Sequence, residues 1–227
     1  MPIRQDPIAA IVTPALMTAF SRTVSPGRWG TYLEATGFNE EVALRLYLWN
    51  AAVGQSFHFP LQAAEVALRN VVSAAIAAEF CPNWWSDGAC RAALGLDRCG
   101  EIDKAAQRIR RKYGVEPHTD QIVASLMLGF WAAMLKREHN PHLWATRTQS
   151  AFPHLGPGQG IRNVSSTTNT VQDLRNRIFH HEPLIGRNLS EDYAAILRLL
   201  GWICPETRQW VREHSSVPLV MRQRPRA

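Results

Sequence analysis

Lysine is nearly missing from this chain: three Lys stand against 22 Arg. That skew suits bidentate phosphate contacts, although genome composition alone produces the same bias. Cysteine is also scarce. Cys81, Cys90, Cys99 and Cys204 show no Cys-x2-Cys spacing and no adjacent His pattern, which argues against a zinc site and a disulfide framework. The apolar run Ile122 to Leu135 is too short for a membrane span and fits a buried helix. The apolar stretch Ile8 to Phe20 is broken by Pro14 and preceded by Asp6, which argues against a signal peptide and leaves the cytoplasm as the expected location. There is no internal repeat, no strand-like alternation, no phosphate-binding glycine loop and no short helix-turn-helix. Repeat architectures, P-loop nucleotide chemistry and groove-reading DNA regulators are thereby disfavoured.

What is present is ordinary for a folded protein. Of 227 residues, 46% are hydrophobic and 19% charged, enough for a substantial core. The net charge of +6 is compatible with an anionic partner, nucleic acid being the usual one. Helical periodicity dominates, so the expected class is all-α. A 1–24 extension is followed by one domain over 25–215 and a basic, unstructured tail over 216–227 that carries Arg222, Arg224 and Arg226.

In chain order, a helix is expected after Pro14 and another over Arg28 to Ala35. A third, capped by Asn39, should run to about Ala52, and a long one should run from Pro60 to about Phe80. On the last, Gln62, Glu65, Arg69 and Ser73 form one polar stripe. The stripe reads either as a Glu65–Arg69 surface pair or as support for a site, with Asn70 beside it. Trp84-Trp85 should close a core end from a loop. Glu101 to Tyr113 is a basic helix whose Lys104, Arg108, Arg111 and Lys112 could track an RNA backbone, or simply face solvent. Thr119 or Asp120 should cap a helix burying Ile122, Leu126, Phe130 and Leu135. Residues 138–160 read as the main loop, with His139, His142 and His154 as surface histidines. A helix from about Val164 follows, then one capped by Ser190, then a short one from Pro205 to His214.

The most informative stretch is Leu174-Arg175-Asn176-Arg177-Ile178-Phe179-His180-His181-Glu182-Pro183. Val171, Leu174 and Ile178 share a helix face, and Asp173 can pair with Arg177. Pro183 disfavours helical geometry at Glu182, so His180 and His181 should occupy the last turn, where the helix dipole favours imidazolium. A histidine can move a proton, an arginine can hold a phosphate, and an asparagine can orient either. Chance also supplies an Arg-x4-His in a chain this rich in arginine, and a His pair at a helix end can be a simple cap.

Arg175-Asn176-x3-His180, extended to Arg-Asn-Arg-Ile-Phe-His-His-Glu-Pro, resembles the signature of the HEPN ribonucleases, in particular their Abi-like (abortive infection) branch. Leu46-Tyr47-Leu48-Trp49-Asn50, the run Leu61 to Asn70, Trp84-Trp85 and Leu128-Gly129-Phe130-Trp131 are similar to the same branch and follow in the same order. The resemblance covers roughly residues 25 to 205. Phe179 departs from it, standing where a small residue is expected before the His pair. The resemblance implies a HEPN-type helical bundle with additional N-terminal helices, acting as a metal-independent endoribonuclease without cofactor, in phage defence or as a toxin. It implies 2′-OH attack leaving a 2′,3′-cyclic phosphate, with Arg175 on the phosphate, His180 as acid or base, and Asn176 orienting. His181, Arg177, Glu65, Arg69 and Asn70 would support the site or contact substrate. The partners it implies are RNA (tRNA or a small regulatory RNA), a second copy forming a composite site, and an antitoxin. The alternative is a HEPN module that binds RNA or a protein without cutting.

Overall fold

The computed structural model describes residues 13–226; the extension before Thr13, and Ala227, lie outside the described residues. Among them there is no strand, as expected for an all-α chain. In order, the α-helices are α1 (Pro14–Thr23), α2 (Pro26–Glu34), α3 (Glu40–Glu79), α4 (Gly88–Tyr113), α5 (Thr119–Ser125), α6 (Leu128–Met134), α7 (Ala145–Ala151), α8 (Ile161–Phe179), α9 (Leu189–Ile203), α10 (Pro205–His214) and α11 (Val217–Arg222). Among the described residues no helix is long and apolar enough to cross a membrane.

The largest departure from the sequence reading is α3. Two helices were expected, separated between Ala52 and Pro60. A single 40-residue helix runs through both, with Pro60 inside it. An interior proline forfeits one backbone bond and crowds the preceding turn, at about 3 kcal/mol. Burial offsets that cost, because Val53 and Phe57 just before the proline, and Leu61 and Ala64 just after it, are fully or almost fully buried. The N-terminus of α3 is as expected, with Val42 N–H donating to Asn39 Oδ1 at 3.1 Å.

The chain separates into two compact units. The first comprises residues 13–59, Asn176–Tyr193 and 214–226. Its core gathers Trp29, Tyr32, Leu44, Trp49, Val53, Phe57 and Leu184. Edge-on aromatic contacts join Phe20 to Trp29 and Tyr47, and Tyr32 to Tyr47. The tail belongs to this unit and is not without structure: α11 occupies it, Val220 C=O accepts from Trp49 Nε1 at 2.9 Å, and the Arg224 guanidinium lies over the Trp49 ring.

The second unit comprises Pro60–Arg175 and Ala194–Glu213. Trp84, Phe130, Trp131, Trp144 and Phe152 fill its core with Leu68, Ile76, Val171, Leu174, Ile196 and Leu199. Trp84 does bury itself from its loop, its Nε1 donating to Ser73 Oγ at 3.1 Å. Asp87 caps the first part of α4 at Cys90 N–H, and at Gly95 (φ 80°, ψ 170°) the helical backbone is interrupted, so the basic part starts just after Gly95, a few residues before Glu101. Where one helix was expected after Thr119 there are two, α5 and α6, divided at Leu126 and Met127. Ile122, Leu126, Phe130 and Leu135 are nonetheless all buried.

The supposed main loop is largely helical. A 3₁₀ turn (Arg137–His139), a π turn (Asn140–Trp144) and α7 occupy most of it. This corrects the reading of His139, which is not at the surface but 4% exposed. Burial pushes its imidazole below the ordinary histidine value, with the Glu138 carboxylate acting the other way. His142 and His154 are exposed, as expected. The cap of α9 is also corrected. Asn188 supplies it, accepting from Glu191 N–H at 3.2 Å, two residues before Ser190.

Candidate functional site

The signature stretch lies at the end of α8, whose helical geometry stops at Phe179. His180 and His181 were expected inside the last turn; they lie just beyond it. His181 N–H donates to Ile178 C=O at 3.1 Å and Glu182 N–H to Arg177 C=O at 2.8 Å. Those two bonds form a Schellman cap, and the residue in its left-handed position is His181, at φ 56°. Glycine is the usual occupant. A histidine there stores roughly 1 kcal/mol of backbone strain. Arg28 Nη1 donates to the His181 carbonyl at 2.5 Å and helps hold the turn.

His181→Gly therefore separates backbone from side chain. It should melt a few degrees above the parent, a gain of up to about 1 kcal/mol, because the turn and its carbonyl bond survive without the strain. A lower melting temperature would show that imidazole contacts, not backbone geometry, hold the turn.

The turn carries exposed charge. His180 keeps 68% of its side chain exposed, and its Nδ1 lies 3.9 Å from Glu182 Oε1. Arg177 Nη1 lies 3.6 Å from Glu182 Oε2, so Arg177 pairs with Glu182 rather than with Asp173. Asn176 reaches His180 through its backbone carbonyl, which accepts from His180 N–H at 2.9 Å.

Beside the turn is a cleft of about 510 Å³, lined wholly by the first unit. One wall is a single stripe of α3, Tyr47, Asn50, Ala51, Gly54, Gln55 and His58, spaced by three and four residues. The facing wall is Phe179, His181, Glu182 and Leu184, and α2 contributes Arg28 and Tyr32. Asn50 Oδ1 ties the walls together by accepting from Leu184 N–H at 2.6 Å. At Gly54, an added Cβ would stand 3.8 Å from Ile178 Cγ2, so the helix approaches that side chain closely there. Burial pushes the Tyr32 phenol up to about 12, with Tyr47 adding to the shift and Arg28 opposing it. It is therefore a neutral hydrogen-bonding group at physiological pH. Phe179 is 46% exposed, its ring 6.2 Å from that of His58. His180 and Asn176 are not among the lining residues, whereas His181 is.

Arg175 belongs to the second unit. Its Nε is 3.9 Å from Glu65 Oε2, and the two side chains are 17% and 26% exposed. Glu65 meets Arg175, while the Nε of Arg69 is buried without an acceptor among the described residues. Asn70 is exposed. On α4, Lys104, Arg108, Arg111 and Lys112 are all exposed. Arg108 donates to Ser125 C=O at 3.2 Å, and Lys112 lies over the Tyr113 ring. Among the described residues no three His, Cys, Asp or Glu side chains are placed to hold a metal ion.

Sequence reasoning found the turn and missed the cleft beside it. Arg28 on α2 and Asn50, Gln55 and His58 on α3 were assigned no part in a site, because the α3 stripe crosses the gap expected between two helices. Set against protein-family models, curated proteins and solved structures, the chain has no significant match.

Proposed function

We propose that this chain is a metal-independent endoribonuclease of the HEPN type, acting in phage defence or as a toxin. The observation that carries the reading is the turn ending α8. It presents the exposed His180 imidazole beside the Glu182 carboxylate, which also meets Arg177, and the following residue, His181, is held in a left-handed conformation. The Arg175-Asn176-x3-His180 spacing and its similarity to the HEPN signature supply the rest.

In this reading the nucleophile is the ribose 2′-OH. A histidine takes its proton, the 2′-oxygen bonds to phosphorus, and the bond to the 5′-oxygen breaks as that oxygen gains a proton from the conjugate acid. The products are a 2′,3′-cyclic phosphate and a 5′-hydroxyl. His180 moves protons, Arg175 stabilises the charge on the phosphoryl oxygens, and Asn176 orients. One motif supplies one such histidine and one such arginine, so a homodimer that brings two motifs to one cleft completes the acid–base pair. RNA is the substrate, the exposed cations of α4 add backbone affinity, and an antitoxin is the partner that would restrain such an activity.

Two observations favour a second reading, a HEPN module that binds RNA or a protein without cutting. Arg175 is mostly buried against Glu65, and a bulky Phe179 precedes the His pair. Incubating total RNA and tRNA in EDTA, with the parent protein beside His180→Ala, separates the readings. Cleavage that vanishes in the variant supports the enzyme. Salt-sensitive binding without product supports the module.

A further inference from the structure

We infer that the cleft between α3 and the α8 turn is a receptor for one unpaired nucleotide of a single-stranded RNA, with the base lying on Phe179. The inference rests on the RNA reading above and goes beyond it, since neither the motif nor the resemblance assigns Phe179, Gln55 or His58 a role.

Three features of the cleft fit that ligand. Its volume of about 510 Å³ lies within the range of small-molecule sites and would admit a base with its ribose. Its floor is low because the α3 stripe carries only the small, exposed Ala51 there, between Tyr47 and His58, while Gly54 lets Ile178 and Leu184 pack against the helix. A half-exposed aromatic ring stands at its edge. Phe179 keeps 46% of its surface in water although it is among the most apolar side chains available, and a base would cover it by stacking.

The polar groups are of the kinds that read a base edge. Gln55 is exposed at the cleft and offers both a donor and an acceptor. Asn50 spends its oxygen on Leu184 N–H, so its contribution to a ligand is the donor Nδ2. Arg28 is the cation available for the flanking phosphate. The lining also includes the carboxylate of Glu182, which would repel phosphate were it not beside Arg177 at 3.6 Å. The departure at Phe179 from the small residue of the HEPN signature thus becomes a substrate contact: a small residue there would leave the base without a platform. A duplex, whose bases are already stacked, has nothing to insert.

The test is equilibrium binding of a fluorescent oligoribonucleotide, single-stranded or annealed to its complement. It is done in the His180→Ala background so that no product forms. Single strand should bind more tightly than duplex. Phe179→Ala should weaken single-strand binding about tenfold, with Phe179→Tyr restoring it. Ala51→Trp, which fills the cleft from an exposed position, should weaken it comparably. A circular-dichroism melt of each variant identifies any that fails to fold, and the pair of variants keeps the test decisive. Unchanged affinity in folded Phe179→Ala and Ala51→Trp would overturn the inference, as would a preference for duplex or no RNA binding at all. The ribonuclease reading fails separately. If the parent protein leaves RNA intact while both cleft variants lose single-strand affinity, the receptor stands and the enzyme falls. If the parent cuts and the cleft variants bind normally, the reverse holds.

Discussion

Replacing His180 with alanine should lower RNA cleavage by about 10²–10⁴-fold, the usual worth of a positioned acid or base. The fold should not notice. His180 is 68% exposed on its side chain, and its structural bond, N–H to Asn176 C=O at 2.9 Å, is made by the backbone and survives in alanine. A surface substitution of this kind changes stability by about half a kcal/mol or less. The measurement is initial cleavage rate beside a thermal melt. An equal rate in the variant would place the chemistry elsewhere, with His181 and His58 in the neighbouring cleft as the next histidines to replace. A collapsed melt would make the rate uninterpretable as catalysis and would assign His180 to the fold.

The second large effect concerns stability. Asp192 is buried, 4% exposed on its side chain, and accepts from Arg187 Nε and Nη2 at 2.6 and 2.8 Å. This fork clamps the loop that follows the His pair and carries Leu184 into the cleft wall. Asp192→Ala leaves the Arg187 guanidinium without its carboxylate. Breaking a buried pair costs about 3–5 kcal/mol, and the lower end applies here because Arg187 keeps 21% of its side chain in water. Urea denaturation should show a midpoint shift of that size with an unchanged slope. A loss below about 1 kcal/mol would mean that the loop is held chiefly by Leu184 and the Asn50 bond.

Much of this was legible in the sequence and some was not, for identifiable reasons. Helix starts were clear where an Asn or a Pro precedes a periodic run, as at Asn39 and Pro205. Pro60 misled because a proline is the strongest local sign of a helix boundary, whereas tertiary burial of Val53, Phe57, Leu61 and Ala64 decides the matter. That single error hid the cleft. The stripe from Tyr47 through Asn50, Ala51, Gly54 and Gln55 to His58 runs across the supposed gap, and its three- and four-residue spacing means nothing unless the helix is continuous.

Other features were out of reach for different reasons. The left-handed residue at His181 could not be read because glycine is its usual sign, and the chain has an imidazole there. His139 looked solvated because Lys136, Arg137, Glu138 and Asn140 surround it in sequence, but a 3₁₀ turn followed by a π turn points it inward. The basic tail was taken as unstructured from its charge, and its anchors, Val217 in the core and Arg224 over Trp49, depend on long-range contacts. The Glu65–Arg175 contact was suspected from the polar stripe. Even so, an i,i+4 pair with Arg69 fitted the same spacing equally well.

The chemistry of cleavage is written in the ends of the product. The parent protein is incubated with total RNA in EDTA, and the new 3′ and 5′ termini are read by phosphatase- and ligase-dependent labelling. Attack by the 2′-OH should leave 2′,3′-cyclic phosphates opposite 5′-hydroxyls. RNA left intact, or cut to 3′-hydroxyls with 5′-phosphates, would contradict it.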